Sequence, residues 1–292
     1  MVNDNLRQLR ALLILGRVSN LPTVWSNCLA GWWLGGGRRV GGLPFLLIGV
    51  TFLYLGGMFL NDVFDVEFDR QHRKERPIPA GSISLTVAWL LGLLWILVGL
   101  IFLFLDGSTA AVLFGVMLAF CIVLYDLIHK AVDSSPVLMG ICRVFVYVIS
   151  ASIGVHGVTG WSIWCGLALG TYVVGLSFIA RGESAGGSVR RWPLFLLVMP
   201  ILLALLMNVG RYRQPALWLS LVLALWIVRC LRTTFWTDNV NVGRTVSGLL
   251  AGIVFVDWLA VAPDPELPHK AGFVFLALFV CARLGQRFVP AT

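Results

Sequence analysis

Residues 43–69 read LPFLLIGVTFLYLGGMFLNDVFDVEFD, an apolar run that closes on Asn61, Asp62, Asp65, Glu67 and Asp69. Its first part, about 43–62, has the roughly 20 residues a helix needs to cross the hydrocarbon of a bilayer. Similar runs recur at about 11–34, 84–105, 109–128, 136–157, 161–180, 192–209, 214–231, 244–262 and 271–288. Helices are expected throughout, because lipid offers no water to open backbone groups and the runs are too long for barrel strands. Composition agrees: 59% of residues are hydrophobic, 12% are charged and mean hydropathy is +0.89, whereas a soluble domain carries roughly 25% charge. The expectation is an all-α polytopic membrane protein, one membrane-embedded domain over 1–292. It would have nine transmembrane helices, or ten if 271–288 also spans.

The net charge is +8, from 22 Lys and Arg against 14 Asp and Glu. These cations sit between apolar runs, where topology and anionic headgroups account for them. No stretch interleaves basic with aromatic residues, so nucleic acid is excluded as a partner. If the N-terminus is cytoplasmic and all ten runs span, the cytoplasmic side holds Arg7, Arg10, Arg17, the cluster Arg70–Arg76, Lys130, Arg181 and most others. Arg38, Arg39, Arg211, Arg213 and Lys270 fall opposite, a ratio of about three to one that favours this orientation. An integral multi-pass protein of a bacterial-type inner membrane follows, with the acidic run on the cytoplasmic side. The six cysteines form no CxxC pair and read as buried thiols. The N-terminal run leads into Arg17, Asn20 and Pro22 instead of a small-residue cleavage site, so it belongs to the fold.

On a helix continued through Asp69, at about 100° per residue, Asn61, Asp62, Asp65 and Asp69 share an arc of about 100°, while Glu67 points away. Hard oxygen ligands on one face suit Mg²⁺, which binds through one or two carboxylates plus substrate phosphates. The acids also stand at a helix C-terminus and against hydrocarbon, both unfavourable to negative charge. A divalent cation offsets both. Arg70, His72, Arg73, Lys74 and Arg76 follow immediately. Cations beside an acid cluster make sense when a polyanion is shared between them and a metal. The run therefore reads as a metal–diphosphate site.

The pattern Asn61-Asp62-x-x-Asp65-x-x-x-Asp69, followed by Arg76-Pro77-Ile78-Pro79-Ala80-Gly81, resembles the first signature of the UbiA superfamily of intramembrane prenyltransferases. Arg17-Val18-Ser19-Asn20-Leu21-Pro22-Thr23 is similar to that family's opening element, and Tyr125-Asp126-Leu127-Ile128-His129-Lys130 to its Tyr…Lys element. The resemblance implies a helical bundle around a central cavity open to lipid. It implies a prenyl diphosphate and a hydrophobic acceptor as substrates, and Mg²⁺ as cofactor. Asp62, Asp65 and Asp69 would be catalytic and, with Asn61, would bind the metal. Arg73, Lys74, Arg76, Tyr125 and Lys130 would bind substrate.

The chain departs from the family in one respect. The second acidic motif, expected near the end of the sixth run, is replaced by Gly175-Leu176-Ser177-Phe178-Ile179-Ala180-Arg181-Gly182-Glu183. Glu183 is the sole acid between Asp133 and Asp238. Arg181 is then expected as a fixed cation in place of a second metal, with Glu183 as the remaining carboxylate. Arg143 lies about two turns into the fifth run, where a charge normally faces a cavity or a partner; it is expected to bind the diphosphate or the acceptor, or else to pair with an aspartate. Asn20 and Asn27 share a helical face, as polar residues turned to a bundle interior do, and Asn20 is placed in the site. Asp257 reads as a packed, paired acid. Two functions remain open: Mg²⁺-dependent prenyl transfer, or a non-catalytic component that binds or exports prenyl or other polar lipids.

Overall fold

The computed structural model describes residues 2–37, 40–184, 191–237, 240–268 and 270–291, and every regular element among them is helical. Eight helices are long and apolar enough to cross a membrane. These are α3 (Leu43–Phe64, extended upstream by a 3₁₀ turn), α5 (Leu85–Leu105), α6 (Thr109–Ile128) and α7 (Pro136–Ile153). The others are α8 (Gly160–Ser184), α11 (Arg213–Phe235), α12 (Val242–Val261) and α13 (Ala271–Phe288). Thus 271–288 is a continuous helix of spanning length.

Two of the ten apolar runs are broken, which is why the count is eight among the described residues. The first divides into α1 (Val2–Leu15), a 3₁₀ turn at Val18–Asn20 and α2 (Leu21–Leu34). The break falls at Arg17, whose φ of 42° and ψ of 47° are left-handed. It is the only described non-glycine residue at positive φ, a conformation that costs about 1–2 kcal/mol for a residue with a Cβ. The seventh run divides at Val198 into α9 (Leu194–Leu197) and α10 (Met199–Met207). Pro200 enters the first turn of α10, where a missing N–H is tolerated.

Glycines let the helices close up. A Cβ on Gly99 would lie 2.8 Å from the Gly49 carbonyl oxygen, and one on Gly56 would lie 2.9 Å from that of Gly92. Small residues in register therefore bring the α3 and α5 backbones together, as membrane helices use them. Leu90, Leu94, Leu97, Ile101 and Phe104 form an exposed stripe on α5 at alternating spacings of four and three, the surface that faces lipid. By contrast α12 is enclosed along most of its length. One apolar core joins α2, α7, α8, α9, α10, α11, α12 and α13; a second joins α2, α3, α5, α6 and α7. Helices α2 and α7 lie at the seam of the two, and the polar residues of interest flank it.

Candidate active site

The acidic run sits where α3 ends. Asp65 closes α3 with near-helical angles, its N–H donates to the Asn61 carbonyl, and the Asp69 N–H donates to the Asp65 carbonyl. The helical path thus continues into α4 (Val66–His72) with only a local break. That continuity carries Asn61, Asp62, Asp65 and Asp69 to one side. Glu67 stays exposed and pairs with Arg70 at 3.4 Å.

Four cations from three separate stretches close on this face. One Arg17 Nη2 atom donates to Asn61 Oδ1 and to Asp62 Oδ1, both at 3.0 Å. Its left-handed backbone supports this aim: the Arg17 carbonyl accepts from the Asn20 N–H and from the Tyr54 hydroxyl. Arg76 Nη1 donates to Asp69 Oδ2 at 2.9 Å and to Asp62 Oδ1 at 3.2 Å. It reaches them because the Pro77–Gly81 turn folds the chain back, with Ile78 buried beneath. Lys130 Nζ and His129 Nε2 meet Asp65 Oδ1 at 2.8 and 3.0 Å. The other His129 nitrogen faces the Tyr125 and Asp126 carbonyls. Both ring nitrogens therefore point at acceptors, which only the doubly protonated imidazolium satisfies.

Electrostatics follow this packing. Burial raises the Asp65 carboxyl, but hydrogen bonds and charge from His129 and Lys130 outweigh it and hold the group down to about 2. Burial lowers His129, yet the Asp65 hydrogen bond and charge raise it overall. Asp69 is raised, chiefly by burial and also by the charges of Asp65 and Asp62, against the pull of Arg76.

Hard oxygens fit a Mg²⁺ ion here. Asp69 Oδ1 is buried without a hydrogen-bond partner, an acceptor that a cation would satisfy. No trio of Asp, Glu, His or Cys side chains among the described residues is assembled at metal spacing. Mg²⁺ does not need one, since it usually takes one or two carboxylates and completes its shell with substrate phosphates and water.

The remaining expected residues are placed as follows. Tyr125 stacks on the His129 ring, centroids 5.1 Å apart. Arg73 lies 6.0 Å over the Phe68 ring, and Lys74 is exposed. Asn20 is buried and ties the Ala291 carbonyl to α2 at 2.9 Å. Arg181 reaches the Val132 carbonyl and the Ser135 hydroxyl at 2.8 and 2.9 Å, so it braces the turn between α6 and α7 without touching Asn61, Asp62, Asp65 or Asp69. Arg143 lies deeper and bonds α2. The side chain of Glu183 lies outside the described residues. Three residues join the site that sequence reasoning had left out: Arg17, His129 and Asp126. The last, buried near the end of α6, accepts from Asn61 Nδ2 at 3.1 Å. That bond turns the Asn61 amide so that its oxygen, not its nitrogen, faces Arg17 and the acids.

The fold and the site define a class: a polytopic helical membrane protein in which one helix end presents oxygens to a ring of cations. The chain belongs to the UbiA prenyltransferase family, whose model matches residues 20–243. Among curated relatives, digeranylgeranylglyceryl phosphate synthase of Sulfolobus acidocaldarius is 30% identical over 118 residues, 40% of this chain and 42% of that protein. The enzyme of that name from Methanoculleus marisnigri is 37% identical over 78 residues, 27% and 28% of the two chains. The aligned stretches thus span less than half of these relatives. Solved structures extend further. One of a digeranylgeranylglyceryl phosphate synthase superposes with a TM-score of 0.57 at 20% identity, over 94% of this chain and 98% of the other. A UbiA homologue of Archaeoglobus fulgidus bound to GPP and Mg²⁺ gives 0.53 at 15% identity, over 96% and 97%. At these identities the superpositions speak to the fold.

Proposed function

We propose that this protein transfers a prenyl group from a prenyl diphosphate to a hydrophobic acceptor, lipid or aromatic, with Mg²⁺ and at the cytoplasmic face of the membrane. The observation that carries the reading is the convergence of Arg17, Arg76, His129 and Lys130 on the oxygen face Asn61–Asp62–Asp65–Asp69. A diphosphate brings several negative oxygens, and this end of the bundle supplies both kinds of partner for them. The names of the curated relatives and the diphosphate in the Archaeoglobus homologue support the same substrate class.

Bound Mg²⁺, held by Asp62, Asp65, Asp69 and Asn61, would neutralise charge on the leaving diphosphate. The chain's own groups do the rest. Arg17 and Arg76 present planar forks that match phosphate oxygens in pairs. Lys130 and the His129 imidazolium add charge at Asp65. As the allylic C–O bond breaks, the diphosphate keeps the electron pair, and preorganised donors stabilise that charge more than the ground state. The acceptor's electron pair then forms the new bond to carbon, and its proton passes to the released diphosphate or to water at the membrane face.

A second reading, a non-catalytic carrier or exporter of prenyl or polar lipids, draws on the missing second acidic motif: Arg181 braces a turn, and no aspartate lies between Asp133 and Asp238. Purified protein with Mg²⁺, a labelled prenyl diphosphate and a panel of aromatic and glycerol-based acceptors separates the two. Transfer predicts pyrophosphate release together with a prenylated acceptor. Saturable binding with no release across the panel would favour the carrier.

A further inference from the structure

Arginines gather without acids at the end of the bundle where α11 stops, α12 starts and α13 stops. They are Arg229 and Arg232 of α11, Arg244 of α12, and Arg283 and Arg287 of α13. Asp257 is the sole acid in these three helices. It is fully buried, and accepts from Asn27 Nδ2 at 2.7 Å, from the Tyr147 hydroxyl at 2.6 Å and from the Ser26 hydroxyl. The oxygen of the same Asn27 amide accepts from Arg143, so this inner cluster is closed on itself. None of the five arginines makes an ion pair among the described residues. Asp238, between α11 and α12, lies outside them.

Two of these arginines meet on one ring. The Cζ atoms of Arg229 and Arg283 lie 6.0 and 5.8 Å from the Trp226 ring centroid, so cations from α11 and α13 share a single indole. Trp226 is held across α12. Its Nε1 donates to the Gly248 carbonyl at 2.9 Å, and its ring meets Phe279 of α13 edge-on at 4.9 Å. Arg229 follows Trp226 by one helical turn and Arg283 follows Phe279 by one, so both stand on the membrane-end side of this ring pair. Arg283 is also fixed in place: its Nη1 donates to Gln286 Oε1 at 2.8 Å, and Gln286 Nε2 donates to the Ser247 carbonyl at 3.0 Å. Arg244, exposed, precedes Ser247 and Gly248 by one turn and adds a third guanidinium on that face of α12. Like charges gathered without a carboxylate call for an anion from outside. The flanking surface indicates its source. Leu225 and Val228 on α11, and Val280 and Leu284 on α13, are exposed beside or below the arginines. Apolar side chains below and guanidinium groups above match lipid tails and charged headgroups.

We infer that Arg229, Arg244 and Arg283 bind the phosphate of an anionic phospholipid, whose chains lie along Leu225, Val228 and Val280. Guanidinium forks match phosphate oxygens, and the indole carries two of the cations when no anion is present. The site goes beyond the transferase reading and does not depend on it. Its arginines bond none of Asn61, Asp62, Asp65 and Asp69, but they stand at the same membrane end. A Cβ on Gly285 of α13 would lie 3.2 Å from Ser19 Cα, two residues from Arg17. A phosphate that bridges α11 and α13 therefore holds α13 against the turn that carries Arg17.

The test uses the full chain in neutral detergent, with bound lipid counted by native mass spectrometry. Phosphatidylglycerol and phosphatidylcholine with the same acyl chains are titrated separately. One arginine near an anionic lipid surface is worth about fivefold in affinity, so wild type should prefer phosphatidylglycerol by about tenfold or more. Arg229→Gln combined with Arg283→Gln should cut the preference to about twofold or less on the same scale. The charge-matched pair Arg7→Gln with Arg10→Gln, at exposed positions of α1, should keep it. Should the first double variant fail to fold, Arg229→Gln alone, at an exposed side chain, should lower the preference about fivefold. No preference in wild type, an equal loss in both double variants, or a preference that Arg229→Gln leaves intact overturns the inference. Competition checks the source of the phosphate. Millimolar glycerol phosphate, the headgroup without chains, should displace little bound phosphatidylglycerol; loss of most of it would identify a soluble phosphate ligand and overturn the lipid assignment.

Discussion

The protein handles charge in two ways, at two depths. At the membrane end, carboxylates and cations touch: Arg17 and Arg76 on Asp62, Lys130 and His129 on Asp65. Inside the bundle, Arg143 and Asp257 are kept apart by an amide, and the carboxylate is quenched by hydroxyl and amide donors. Contact pairs at a helix end can exchange partners, which suits the polyanion exchange proposed above. A carboxylate fixed by three neutral donors has no such freedom and reads as scaffold. On the proposed function, the end cluster serves ligand turnover and the inner one position.

The largest expected effect breaks the first cluster. Asp62→Asn or Asp65→Asn should lower turnover by about 10³ or more, comparable to removing main transition-state stabilisers, while the thermal unfolding midpoint changes little. Pyrophosphate release and differential scanning fluorimetry, run on the same samples, check both halves. The inner cluster should behave in reverse. Asp257→Leu strands the Tyr147, Ser26 and Asn27 donors and should cost about 2–3 kcal/mol, since intramembrane hydrogen bonds average only ~0.6 kcal/mol but orphaned donors add to the loss. Urea or thermal unfolding in detergent reads it; a midpoint equal to wild type would mean that the network is not structural.

A smaller effect sharpens the boundary between the clusters. Asp126→Ala removes the acceptor that fixes the Asn61 amide and should weaken Mg²⁺ affinity by about 10–100-fold, as loss of an outer-shell partner does. Mn²⁺ binding followed by electron paramagnetic resonance measures this without turnover. The smallest effect belongs to Arg181. Its ion pair with Asp133 is 3.4 Å long on a fully exposed carboxylate, so Arg181→Gln should shift stability by less than about 1 kcal/mol and leave Mg²⁺ affinity unchanged. A large loss of Mg²⁺ affinity there would restore Arg181 to the site.

Much of this was legible in the sequence for one physical reason: lipid forces helices and fixes their length. The run 271–288 coincides with α13, and 109–128 with α6. Hydropathy averages over side chains, however, and is blind to backbone angles. It therefore passed over the left-handed break at Arg17 and the division at Val198. The oxygen face was readable because Asn61, Asp62, Asp65 and Asp69 are helical neighbours. Their partners were harder to read. Arg17 lies 45 residues from Asp62 and His129 lies 64 from Asp65, separations that only tertiary packing spans. Both sit inside stretches whose pattern drew notice, but pattern assigns no contact. Arg143 stood out as a charge at hydrocarbon depth, whereas its amide-mediated link to Asp257 depends on how α2 packs between α7 and α12.

The central claim is that the end cluster binds a diphosphate through a metal. Titrating geranyl diphosphate into wild-type and Asp62→Asn protein, with Mg²⁺ and then with chelator, tests it most directly. The account predicts saturable binding to wild type that chelation weakens at least about tenfold, and that Asp62→Asn weakens similarly even with Mg²⁺ present. Binding that is equally tight in chelator, or unchanged in Asp62→Asn, would contradict it.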